Sequence, residues 1–166
     1  MAERIVAERI VAERILGERI VAERIVAATV LIGEAGLRES VGNHLGYSEW
    51  LDMSAERLGL FAQATGDPDH TYLAISLSNM FLPQIVEVQG FSMGINYGTD
   101  AVRFPVPLRV GMRVRGGASL LDIAEVKGGV QTRMLITIET AAAAAADAFG
   151  QSEQVCVIES ISRWLH

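Results

Sequence analysis

With 166 residues, half of them hydrophobic, the chain can bury one substantial core, and its length gives no reason for a second domain. Fourteen Lys and Arg against twenty Asp and Glu give a net charge of −6, which disfavours nucleic acid, because phosphate binding needs a clustered basic face. The single cysteine, Cys156, rules out a disulfide framework or a cysteine metal cluster within one chain and fits a reducing, cytoplasmic setting. No apolar run reaches the roughly 18 residues expected of a membrane span, and the N-terminus has no basic region followed by an apolar signal core.

Residues 1–27 read as an extension separate from a single domain at 28–166. AERIV recurs from Ala2 to Val26, with only Leu16-Gly17 departing. A five-residue step turns each isoleucine by about 140° on a helix, so no continuous apolar stripe forms, and on a strand the odd period sends successive isoleucines to opposite faces. Ala, Glu and Arg favour helix, and Arg4 to Glu8, Arg9 to Glu13, Arg14 to Glu18 and Arg19 to Glu23 are attractive i,i+4 pairs. The extension is either an oligomerising or docking helix or a tandem duplication without a role.

Between Phe61 and Pro83 the sequence reads FAQATGDPDHTYLAISLSNMFLP, and here Asp67, Asp69 and His70 form the chain's one tight cluster of reactive polar groups. Large apolar residues follow at 72, 73, 75, 77, 80, 81 and 82. As a helix this stretch has no broad polar stripe, which predicts burial on all sides. Metal binding by Asp67, Asp69 and His70 is disfavoured, since no fourth ligand is evident.

A helix buried all round needs a wrapper, and the later sequence supplies one. Arg103 to Leu108 reads as strand, Val110 to Val114 alternates, and Met134, Ile136 and Ile138 alternate with Leu135 and Thr137. Lys127-Gly128-Gly129 predicts a tight hairpin turn between arms at about Arg113 to Val126 and Val130 to Thr140. Ala141 to Ala146 suggests a turn of helix before a last strand, Val155 to Ile161. The predicted class is α+β, a curled antiparallel sheet around one apolar helix. Arg109, Arg113 and Arg115 fall at odd positions of one strand and read as a solvated face in preference to an anion site.

Five stretches carry a family resemblance: VGNHLGYSEW from Val41 to Trp50, FAQATGD from Phe61 to Asp67, MGINYG from Met93 to Gly98, VRFPVP from Val102 to Pro107 and GMRVR from Gly111 to Arg115. In this order they resemble the MaoC-like dehydratases, also called (R)-specific enoyl-CoA hydratases, and particularly the nodulation-protein-N-like branch. The resemblance runs from about Ala28 to the end and implies a hot-dog fold, in which the sheet wraps a long central helix, and a homodimer. It implies a lyase of fatty acid metabolism that adds water reversibly to trans-2-enoyl thioesters of coenzyme A or acyl carrier protein, with no metal or redox cofactor.

In that chemistry an aspartate and a histidine hold a water, take its proton as it attacks C3 and return one at C2, while a helix N-terminal amide polarises the thioester carbonyl. The resemblance assigns the aspartate to Asp67, after Gly66. The family's histidine would follow at position 72, where this chain has Tyr72. Asp69-His70-Thr71-Tyr72-Leu73 instead matches a later motif at the start of the central helix, so that roughly twenty residues of a loop of the kind that carries function are missing. His70 is then either a substitute base or a first-turn histidine without a catalytic partner. Asp67 has a capping alternative, with Pro68 at the first helical position. Thr71 stands where the family has the glycine whose amide meets the carbonyl. Tyr97 and Gly98 lie, by resemblance, at a strand irregularity near the ligand tunnel, or form a bulge with a core tyrosine. Two functions follow: a hydratase, or a catalytically impaired hot-dog dimer that binds acyl thioesters or serves a structural role.

Overall fold

The structure is a computed structural model and describes residues 27–141 and 152–166. The expected AERIV helix and the expected polyalanine turn lie outside the described residues, apart from Ala27 and Ala141 at their ends. In chain order the elements are β1 (Thr29–Ile32), α1 (Gly33–Glu39), β2 (His44–Tyr47), β3 (Leu51–Asp52), α2 (Ala55–Thr65), α3 (Thr71–Ser76), α4 (Ser78–Ile85), β4 (Val86–Gln89), β5 (Met93–Arg103), β6 (Arg113–Val126), β7 (Gly129–Thr140) and β8 (Glu153–Leu165).

Alternation along three long strands builds the wall of the core. In β6 the even residues Val114, Gly116, Ala118 and Leu120 are buried; in β7 Val130, Thr132, Met134, Ile136 and Ile138 are. Register aligns them into rows across the sheet: Leu120, Met134 and Ser160; Ala118, Ile136 and Ile158; Gly116, Ile138 and Cys156. The six-stranded antiparallel sheet runs β2-β6-β7-β8-β5, with β3 also beside β6, while β1 and β4 form a separate parallel pair. Strands this long coil, and bulges at Leu121 and between Ile138 and Glu139 add to the curl.

The hairpin arms match their expected limits to within one residue. The turn is Lys127-Gly128, and only Gly128 has a positive φ, +83°, the pattern of a type II turn. Gly129 already pairs with Val126; it is a glycine for another reason, since a Cβ there would run into the carbonyl oxygen of Trp164. The last strand is longer than Val155 to Ile161 and covers Glu153–Leu165.

Two expectations need correction. Arg103 to Leu108 is not a strand: β5 ends at Arg103 and residues 104–112 form a loop. Pro105 and Pro107 lack the N–H a ladder requires, and Gly111 turns the chain at φ +86° before β6 begins. The central helix is not buried all round. It runs from α3 into α4 through Leu77, which is itself helical and bonds Leu73 and Phe81 one turn to either side, and the large buried residues Leu73, Leu77, Phe81 and Ile85 recur every four positions as one stripe. Tyr72 at 65% and Met80 at 45% exposure lie off that stripe. Ser76 donates to the Tyr72 carbonyl one turn back at 3.0 Å, a bond that competes with regular helix.

The stripe rests on the sheet through Gly116. A Cβ at that position would lie 2.7 Å from the Phe81 Cβ and 2.9 Å from its Cδ2, so the bare backbone of β6 is what lets the Phe81 ring sit down. Ser48 holds the same residue from the other side, donating its N–H to the Gly116 carbonyl at 2.9 Å and accepting the Gly116 N–H on Oγ at 2.8 Å. Gly116→Val is expected to cost about 1–3 kcal/mol by overpacking, read as a lower urea midpoint with an unchanged slope.

Candidate active site

Local sequence explains the junction between α2 and α3 step by step. Gly66 ends α2 at φ +72°, a left-handed cap that glycine takes without strain, and donates its N–H to the Ala62 carbonyl at 2.8 Å. Thr65 Oγ1 donates to the Phe61 carbonyl at 2.7 Å and accepts the Asp67 N–H at 3.2 Å. The Asp67 carboxylate then takes two backbone amides, that of Asp69 on Oδ1 at 3.1 Å and that of Tyr72 on Oδ2 at 3.2 Å. Asp67 thus caps a helix that starts at Thr71, while Pro68 sits in the intervening turn and not at the first helical position.

His70 directly precedes α3 and carries φ +58°, the sole positive φ among the described non-glycine residues. A left-handed backbone strains any side chain, histidine less than most, and persists where the surroundings enforce it. Its carbonyl accepts the Leu73 N–H at 3.1 Å. His70 and Thr71 are half-buried in the wall of an open cleft of about 570 Å³. Buried Leu58 and Leu108 line it too, and exposed Asp69 and Arg109 supply its charges. Arg109 arrives from the loop before β6, an approach that no local pattern announces.

Tyr97 and Gly98 are not in this cleft. Tyr97 is the extra residue of a bulge in β5, where the pairing with β8 shifts between Asn96 and Gly98. Tyr97 is 55% exposed and its ring lies under the Arg163 guanidinium, 3.5 Å from the ring centroid, so the bulge does not carry a core tyrosine. Gly98 is half-buried, and a Cβ there would meet nothing within 4 Å. The structure therefore brings Asp67, His70 and Thr71 together at one junction and leaves Tyr97 and Gly98 on the edge strand.

The three arginines of the expected basic face do not act together. Arg113 pairs with Asp52 at 3.0 Å. Arg115 pairs with the buried Glu139 at 2.6 Å and lies 4.0 and 4.7 Å from the Tyr47 and Trp50 ring centroids, a cation held between aromatic faces. Only Arg109 reaches the cleft. Among the described residues, no group of three or more His, Cys, Asp or Glu side chains is arranged to hold a metal ion, and no helix is long and apolar enough to cross a membrane.

No family model matches the chain. Individual proteins do. It is 32% identical to 3-hydroxyacyl-thioester dehydratase Z of Mycobacterium tuberculosis, with 79% of this chain and 95% of that protein covered. It is 34% identical to nodulation protein N of Rhizobium leguminosarum bv. viciae, over 49% of this chain and 64% of that protein. The alignment to dehydratase Z spans 151 positions, whereas 79% of 166 residues is about 131, so about twenty aligned positions have no residue in this chain. Among solved structures, the monoamine oxidase regulatory protein of Archaeoglobus fulgius superposes with a TM-score of 0.58 at 12% identity, covering 84% of this chain and 99% of that one. The R-hydratase PhaJ1 of Pseudomonas aeruginosa gives 0.53 at 17% identity, covering 76% and 82%. A hot-dog sheet curled over a helical stripe, together with 32% identity across nearly the whole of a dehydratase, leads to one statement: the chain belongs to the MaoC-like dehydratase family.

Proposed function

We propose that the chain is a hydro-lyase that adds water reversibly to a trans-2-enoyl thioester, carried on coenzyme A or acyl carrier protein, to give the (R)-3-hydroxyacyl thioester. The observation that carries this reading is the 32% identity over 95% of a protein named for the dehydration of 3-hydroxyacyl thioesters. The cleft supports it, offering half-buried His70 beside Thr71, whose amide stands at the first position of α3. An imidazole suits the proton transfers because it titrates near neutral pH. The test is to mix the purified chain with crotonyl-CoA and follow the enoyl absorbance. A fall that scales with protein concentration supports the reading; none at high concentration, with the fold intact, overturns it.

One observation favours a second reading, an acyl-thioester binder without turnover. Position 72, where the family motif has its histidine, is Tyr72, a residue that is 65% exposed. Saturable binding of a crotonyl thioester with no product would select that reading.

The partner in either case is a second copy of this chain. Support comes from the family and from β5, an eleven-residue edge strand that leaves Met93, Ile95 and Tyr97 exposed, the kind of edge a neighbouring strand covers. Light scattering is expected to give twice the 17.9 kDa chain mass; a monomer at micromolar concentration would contradict it.

A further inference from the structure

We infer that Asp67 is a positioning residue that brackets His70, and that His70 alone moves the proton. The inference rests on the hydration reading above and assigns the work within that site.

The bracket is visible in the hydrogen bonds. One Asp67 oxygen holds the amide of Asp69 and the other the amide of Tyr72, so the carboxylate closes a ring of backbone around His70 and Thr71. Within that ring His70 sits at φ +58°. The strained residue and the carboxylate that spans it form one unit, which fixes where the imidazole leaves the backbone. Among the described residues no hydrogen bond joins the Asp67 carboxylate to the His70 ring, so the control is exerted through the main chain. Acid–base work at Asp67 would undo this, because an oxygen that accepts a proton becomes a poorer acceptor for the amide it holds.

A single imidazole suffices for the chemistry. His70 takes one proton from water as the water oxygen bonds to C3, and the C2–C3 π pair passes to C2 and the thioester as an enolate. The imidazolium then gives that proton to C2. One water is consumed, one C–O and one C–H bond form, and the imidazole ends neutral as it began.

Two substitutions separate positioning from proton transfer. Asp67→Ala removes the bracket, and a reacting group displaced by about an ångström costs on the order of 10² in rate, so kcat is expected to fall by about that factor with KM little changed. Asp67→Asn keeps one acceptor oxygen, enough to hold one of the two amides, and cannot serve as a base. It is expected to recover part of the kcat lost in Asp67→Ala. An Asp67→Asn variant that is folded, still protects the Asp69 or Tyr72 amide from exchange and is as slow as Asp67→Ala would overturn the inference. A wild-type chain with no turnover would defeat the hydration reading instead, and the bracket would then be judged by amide hydrogen exchange. Exchange at both Asp69 and Tyr72 is expected to speed up in Asp67→Ala and at only one of them in Asp67→Asn; equal exchange in all three proteins would overturn the bracket as well.

Discussion

Exchanging His70 for asparagine is expected to slow enoyl hydration by about 10²- to 10⁴-fold, the usual contribution of a positioned acid–base group, with the fold unchanged. Asparagine is the informative replacement because of the backbone at this position. At φ +58° alanine would add strain of its own, whereas asparagine is among the residues that enter the left-handed region most readily. Among the described residues the half-buried imidazole makes no side-chain hydrogen bond that asparagine would break, so circular dichroism and melting temperature should match the wild type. Loss of rate with an intact fold then reports chemistry. A rate within a fewfold of wild type would clear His70 of the role.

Replacing Phe81 by alanine is expected to destabilise the protein by about 3–5 kcal/mol, a large part of the roughly 5–15 kcal/mol that holds a typical domain together. Phe81 is 1% exposed, lies on the stripe formed by Leu73, Leu77, Phe81 and Ile85, and rests on β6 at Gly116. The sheet cannot close over the lost ring, because Gly116 has no side chain with which to fill the gap. Met80, one residue earlier and 45% exposed, is the control: Met80→Ala should stay within about 0.5 kcal/mol. Urea denaturation of the two variants checks the arrangement. Equal losses would mean that the helical stripe does not face the sheet as described.

The long strands were legible because period-two alternation is a local property, and it survives in β6, β7 and β8, where one face is buried. The hairpin was legible because two glycines between alternating runs leave few alternatives. Strand β5 was harder to see: most of its side chains are exposed, so its sequence lacks the apolar alternation that marks a buried face. The run at Arg103 to Leu108 misled because its hydrophobic spacing outweighed Pro105 and Pro107. The exposed face of the central helix was hidden for a different reason. Apolar residues at 72, 80 and 82 suggested burial on every side, but the helix lies against the curved sheet by one face only.

At the site, residue types were legible and roles were not. The sequence brings Asp67 and His70 within three positions, and the resemblance assigns them to two different motifs. Which of them holds backbone and which faces a cleft depends on φ at His70 and on two amide bonds, quantities that sequence does not display. Arg109 lines the same cleft as His70 from 39 positions along the chain, and nothing local to either residue announces it.

The most direct measurement uses the wild-type chain, crotonyl-CoA and water enriched in oxygen-18, with mass spectrometry of the thioester. Hydration places one labelled oxygen at C3 of a 3-hydroxybutyryl thioester, at a rate proportional to protein concentration. Full recovery of unlabelled crotonyl-CoA from a concentrated, folded sample would contradict the hydro-lyase assignment.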